Sequence, residues 1–109
     1  MSKKIKVAVL ISGNGTNLQA LIDACIEPSY PAEIVLVISN KANAKGISRA
    51  REAGITTRIV DHTNYRSREE FDTELSMILS NSKCKLICLA GFMRILSENF
   101  VNTWPNTIL

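Results

Sequence analysis

A strongly apolar run, Ile5-Lys6-Val7-Ala8-Val9-Leu10-Ile11, leads directly into Ser12-Gly13-Asn14-Gly15-Thr16-Asn17, and a helical pattern follows with apolar residues at Leu18, Leu21, Ile22 and Cys25. Few local patterns constrain a fold as tightly. A near-continuous apolar run suits a strand buried on both faces. The glycines permit a tight turn, and apolar positions three and four apart then suit an amphipathic helix. Such a strand-turn-helix unit is also an anion site. Glycine lets the backbone approach a phosphate closely, the first helical N–H groups have no partners, and the helix dipole adds partial positive charge. The pattern predicts that a phosphorylated small molecule is held at this first turn.

The remaining elements alternate. Strands are predicted over Ile5–Ile11, Glu33–Ser39, Thr57–Val60 and Lys85–Ala90, with helices between them. The first helix is expected to open near Thr16 or Asn17, either of which can cap it, and to end before Pro28. The second runs from about Ala44 to Ala53, where Gly54 supplies the left-handed residue that closes it. The third opens at Ser67 with Glu70 three positions on, a capping box, and carries Phe71, Leu75, Ile78 and Leu79 on one face. A short helix after Ser97 would bury Phe100, Val101 and Trp104. The fold class expected is α/β: a Rossmann-like, doubly wound, mostly parallel sheet with helices on both faces. Asn106-Thr107-Ile108-Leu109 reads as the opening of a fifth strand, at which the sheet is cut short. The 109 residues are therefore expected to be the front part of a longer polypeptide. Ligands of such sheets bind beyond the carboxyl ends of the strands, at the switch point in strand order. That edge should carry the loops Ser12–Asn17, Ser39–Asn43, Asp61–Ser67 and Gly91–Leu96.

Bulk properties narrow the function classes. The length allows one domain with one modest core. Aromatic residues make up 6% of the chain, too few for a base-stacking platform, and a net charge of +3 suits anionic metabolites without arguing for nucleic acid. No apolar run is long enough to span a membrane. Ile5 to Ile11 is short, carries Lys6 and has no small-residue cleavage site after it, so a cytoplasmic location is expected. Three cysteines without C-x-x-C spacing read as buried thiols, and no metal site is expected.

Other phosphate motifs fit less well. A dinucleotide fingerprint fails because Leu18 occupies the third glycine position and the second strand ends at Ser39-Asn40-Lys41 without an acid. A Walker loop fails because no Gly-Lys-Ser/Thr follows. A flavodoxin-like carrier of flavin mononucleotide remains open, although only Tyr65 and Phe92 are available to sandwich a flavin. Ser39-Asn40-Lys41 is by default a polar turn, His62 a loop histidine, and Arg68 a surface residue that could pair with Asp72. Gly91-Phe92-Met93-Arg94-Ile95-Leu96 keeps large apolar residues in a loop, as a pocket wall would, and Arg94 could meet a carboxylate.

Four segments together resemble one family, phosphoribosylglycinamide formyltransferase, also called glycinamide ribonucleotide transformylase. They are Ile11-Ser12-Gly13-Asn14-Gly15-Thr16-Asn17-Leu18-Gln19-Ala20, Ser39-Asn40-Lys41-Ala42, Ser67-Arg68-Glu69 and Leu89-Ala90-Gly91-Phe92-Met93-Arg94-Ile95-Leu96. The resemblance runs from Val7 to Leu109 and makes residues 1–109 the N-terminal part of a single formyltransferase domain. It implies transfer of the formyl group of 10-formyltetrahydrofolate, as co-substrate, to the amine of glycinamide ribonucleotide, a step of purine synthesis. It also implies that Gly15, Thr16 and Asn17 hold the substrate phosphate, and that Arg68, Met93, Arg94, Ile95 and Leu96 form part of the folate site. The family's catalytic Asn and His lie in an Asn-Ile-His-Pro-Ser segment that would begin just after Leu109, with a catalytic Asp later. Neither Asn106 nor His62 matches them, so this stretch alone is expected to lack formyl-transfer activity.

Overall fold

The computed structural model describes residues 4–92, 98–104 and 107–108. The elements are β1 (Ile5–Ile11), α1 (Thr16–Ile26), β2 (Ala32–Ser39), α2 (Lys45–Glu52), β3 (Thr57–Ile59), a 3-10 turn at His62–Asn64, α3 (Arg68–Ser82), β4 (Leu86–Leu89) and α4 (Glu98–Thr103). Among the described residues the strands form one parallel sheet in the order β3-β2-β1-β4.

The period of two along β1 creates three layers. Val7, Val9 and Ile11 point to one face, where they pack with Leu18 and Ile22 of α1 and Ile47 and Ala50 of α2. Ala8 and Leu10 point to the other, against Phe71, Leu75, Ile78 and Leu79 of α3 and Phe100 of α4. Both faces are covered, so a continuous apolar run is needed and Val7 to Ile11 are all buried. Each large aliphatic side chain removed from water there contributes about 1.5–3 kcal/mol. In β2 the alternation slips once. The β1 partners step from Ile34 to Leu36, and the bulge puts Val35 and Leu36 successively on the α3 side.

Helix ends follow the sequence in part. Ser67 Oγ accepts the Glu70 N–H at 3.2 Å and opens α3, and Gly54 stands at φ +76° after α2. The start of α1 differs from expectation. Its N-cap is Gly15 at φ +75°, with no side-chain cap, and both Thr16 and Asn17 lie inside the helix. In α4, Phe100 is buried and Trp104 half-buried, but Val101 is 47% exposed. Phe100 and Trp104 are one turn apart and share a face, whereas Val101 is rotated by about 100° onto the solvent side. Trp104 Nε1 donates to Ser76 Oγ at 3.0 Å and ties α4 to α3. Beyond α4, Ile108 forms an isolated parallel bridge with Ile87, and Ile87 N–H donates to Thr107 O at 3.0 Å, so this segment pairs on the free side of β4.

All strands run the same way, so the loops after β1, β2, β3 and β4 emerge at one rim. The chain steps outward from β1 to β2 and β3, then returns to place β4 on the other side of β1. The switch point therefore lies between the loop after β1 and the loop after β4.

Candidate functional site

The loop after β1 is held by its carbonyls. Gly46 N–H donates to Gly13 O at 3.1 Å, and Arg49 Nε donates to Asn14 O at 2.8 Å. Both donors belong to α2. Gly15 then turns left-handed, and the α1 ladder opens with Gln19 N–H to Gly15 O at 2.8 Å. The amides of Thr16, Asn17 and Leu18 precede that first bond, and no side chain caps them. Gly13, Asn14, Thr16 and Asn17 are exposed. The result is a run of N–H groups without helical partners at the positive end of a helix.

Beneath the loop, the polar ends of three neighbouring segments join. Ser12 Oγ donates to Asn40 Oδ1 at 2.6 Å, and Asn40 Nδ2 lies 3.4 Å from His62 Nδ1. Ser12 and Asn40 are buried, and Asn40 N–H also donates to Ile11 O at 3.3 Å. Their side chains are thus committed to holding the ends of β1 and β2 together. His62, which reads as an isolated loop histidine in the sequence, belongs to this cluster. Ser39 Oγ bonds Lys41 N and Lys41 O, a turn that leaves Lys41 exposed.

Two further loops border the rim. Arg68 opens α3 and is exposed, whereas Asp72, one turn later, is only 4% exposed. Just before α3, Asp61 Oδ1 accepts from both Thr63 Oγ1 and Thr63 N, and these bonds hold its carboxyl below the usual 3.8. After β4, Gly91 turns at φ +77° and Phe92 packs half-buried on the α3-side core. Met93, Arg94, Ile95 and Leu96 lie outside the described residues.

The structure thus brings Gly15, Thr16 and Asn17 together at the mouth of β1 and sets Arg68 on the same rim. Gly46, Arg49 and Asn40 are the parts that sequence reasoning missed or left as a default turn. A glycine inside a helical pattern, at Lys45-Gly46-Ile47, was the available signal, because it costs about 1 kcal/mol against alanine unless packing requires it. A cleft of about 360 Å³ lies elsewhere, between α3 and α4, lined by Met77, Ser76, Phe100 and others and, among the described residues, by none of the rim loops. Among the described residues no group of three His, Cys, Asp or Glu side chains is placed to hold a metal ion, and no helix is long and apolar enough to cross a membrane.

Comparisons with known proteins agree with this architecture. The chain is 56% identical over 108 residues to the trifunctional purine biosynthetic protein adenosine-3 of Gallus gallus, covering 99% of this chain and 11% of that protein. It is 45% identical over 105 residues to the phosphoribosylglycinamide formyltransferase of Escherichia coli (strain K12), covering 96% of this chain and 50% of that one. The crystal structure of phosphoribosylglycinamide formyltransferase from Brucella melitensis superposes with a TM-score of 0.95 at 40% identity, over 97% of this chain and 55% of the other. The chain therefore spans about a tenth of the trifunctional relative and about half of the bacterial enzymes. The formyl transferase family itself matches from residue 5 to residue 109, and the chain belongs to that family.

Proposed function

We propose that this chain supplies the phosphate-binding loop and part of the folate wall of a phosphoribosylglycinamide formyltransferase acting in the cytoplasm. In this reading the amine of glycinamide ribonucleotide attacks the formyl carbon of 10-formyltetrahydrofolate. A tetrahedral oxyanion forms, the bond from that carbon to the folate nitrogen breaks, and the amine proton is passed on. The amides of Gly15, Thr16 and Asn17 hold the ribonucleotide phosphate, and Arg68 with Met93, Arg94, Ile95 and Leu96 contacts the folate. No proton-transfer or oxyanion-stabilising group is assigned within these 109 residues, and the stretch alone is expected to show no turnover.

The observation that carries the reading is the uncapped start of α1 at the switch point, with its amides open to solvent while the preceding carbonyls are bonded to α2. Phosphate and a helix N-terminus are matched in charge and in hydrogen-bonding capacity. The likeness to named formyltransferases over nearly the whole chain supports glycinamide ribonucleotide as the ligand. Gly15→Val tests it, since a side chain at this left-handed position would run into the Gly46 backbone and force the loop, with its amides, out of place. Calorimetric titration with glycinamide ribonucleotide is expected to show weakened binding, and unchanged affinity would remove the loop from the site. A yellow protein with flavin absorbance would instead restore the carrier reading.

A further inference from the structure

The bonds between α2 and the loop after β1 have a directional consequence. In a trans peptide the C=O and the following N–H point in opposite directions. Gly46 N–H holds Gly13 O at 3.1 Å, which fixes the direction of the Asn14 N–H. Arg49 Nε holds Asn14 O at 2.8 Å, which fixes the direction of the Gly15 N–H. Two consecutive peptide planes therefore turn their carbonyls toward α2 and their amides away from it, toward the open mouth of the loop. The Arg49 stem adds a second constraint. A Cβ on Gly15 would come within 3.3 Å of Arg49 Cδ, so the stem lies against Gly15. The head is anchored in turn, with Arg49 Nη1 donating to Gln19 Oε1 at 3.4 Å and Gln19 Nε2 donating to Asp23 Oδ1 at 3.0 Å along α1.

We infer that Arg49 is a positioning residue for the phosphate loop, aiming the Gly15 amide by holding the Asn14 carbonyl. The inference rests on the proposed phosphate reading and extends it to a residue on a different helix. Arg49 touches no substrate in this role. Its part is to keep the run of N–H groups preorganised, so that binding does not have to order the loop.

Two variants separate this role from plain charge. Arg49→Met keeps the stem over Gly15 and removes every donor. Arg49→Lys keeps the charge but puts a carbon where Nε stands, so the bond to Asn14 O is lost. The readout is the ratio of affinities for glycinamide ribonucleotide and for the phosphate-free glycinamide riboside, measured by calorimetry on the protein carrying this chain. A generally destabilised protein loses both affinities, whereas a misaimed phosphate loop loses only the ratio. Both variants are expected to lower the ratio about tenfold, the worth of one hydrogen bond to a charged group, with riboside affinity unchanged. A ratio fully kept in Arg49→Lys would show that charge alone suffices and would overturn the positioning role. A ratio kept in Arg49→Met would do the same. If Arg49→Met does not fold, the lysine variant decides by itself. Equal affinities for nucleotide and riboside in the unaltered protein would instead reject the phosphate reading from which the inference starts.

Discussion

Gly15 and Gly46 meet backbone to backbone: a Cβ built on Gly15 would sit 2.6 Å from Gly46 Cα, and one built on Gly46 would run into Ile11 Cδ1. The contact joins the start of α1 to the first turn of α2, two elements distant in sequence. Gly15 is also left-handed, at φ +75°. Two independent constraints thus exclude a side chain there, and the same close approach lets Gly46 N–H and Arg49 reach the loop carbonyls.

The glycines should respond to alanine in a definite order. Gly13 has neither positive φ nor a neighbour within 4 Å of its Cβ direction, so Gly13→Ala changes stability by no more than about 0.5 kcal/mol. Gly54 has positive φ but open space, and Gly54→Ala costs about 1 kcal/mol of backbone strain. Gly15→Ala combines strain with a backbone clash and costs at least about 2 kcal/mol. Urea midpoints of the three variants check the ranking, and a Gly15→Ala variant as stable as Gly13→Ala would contradict the packing.

The buried bond between Ser12 and Asn40 should be measurable as a coupling. Asn40→Ala removes the acceptor held at 2.6 Å from Ser12 Oγ and the donor facing His62. The expected cost is about 1–3 kcal/mol for disrupting a buried polar group. A double-mutant cycle with Ser12→Ala should return a coupling of about 1 kcal/mol, within the range for residues in direct contact. Additive effects of the two substitutions would mean that the pair does not hold the strand ends together.

Much of this was legible in the sequence because the signals are local or periodic. The apolar run from Val7 to Ile11 announces a strand covered on both faces, and Ser67 with Glu70 announces the start of α3; both stand as read. The cap of α1 was not legible in the same way. Thr16 and Asn17 are good capping residues, but the cap falls on Gly15, whose left-handed turn packs against Gly46 in a distant helix. Local propensity has no access to that contact. Arg49 was equally silent, since on sequence it is one more cation on a polar helix, and only the tertiary approach of α2 brings it to Asn14 O. Val101 failed for a different reason. Apolar residues adjacent in a helix cannot share one face, and Phe100 takes the buried side.

Burial sets the thiol chemistry of Cys25 and Cys88. For Cys25, burial raises the thiol above the usual 9.0, the Lys4 ammonium opposes this in part, and Cys88 adds a smaller upward push. For Cys88, burial alone raises it. Less thiolate is then present at neutral pH, and the thiolate is the reacting form. Alkylation by iodoacetamide at pH 7.5 is expected to be slower at both positions than in the unfolded protein, with rates still climbing above pH 9. Rates equal to those of the unfolded protein would show that these thiols are not shielded.

The turn before α3 should carry its own pH dependence. Asp61 accepts a side-chain bond from Thr63 Oγ1 at 2.7 Å and a backbone bond from Thr63 N at 2.9 Å, and both favour the carboxylate, the side-chain bond more strongly. The folded pKa therefore lies below the unfolded value near 3.8. By linkage, a lowered carboxylate pKa stabilises the fold fully above the unfolded value, and the contribution disappears as pH falls through the folded one. The turn should thus be insensitive to pH at neutrality and loosen only in acid below the usual carboxylate range. Thr63→Val removes the stronger bond and keeps the backbone one, so the Asp61 pKa should move part of the way back up toward 3.8. A carbon-detected NMR titration of the Asp61 carboxyl reads this directly. An Asp61 pKa unmoved by Thr63→Val would assign the shift to something other than the hydroxyl.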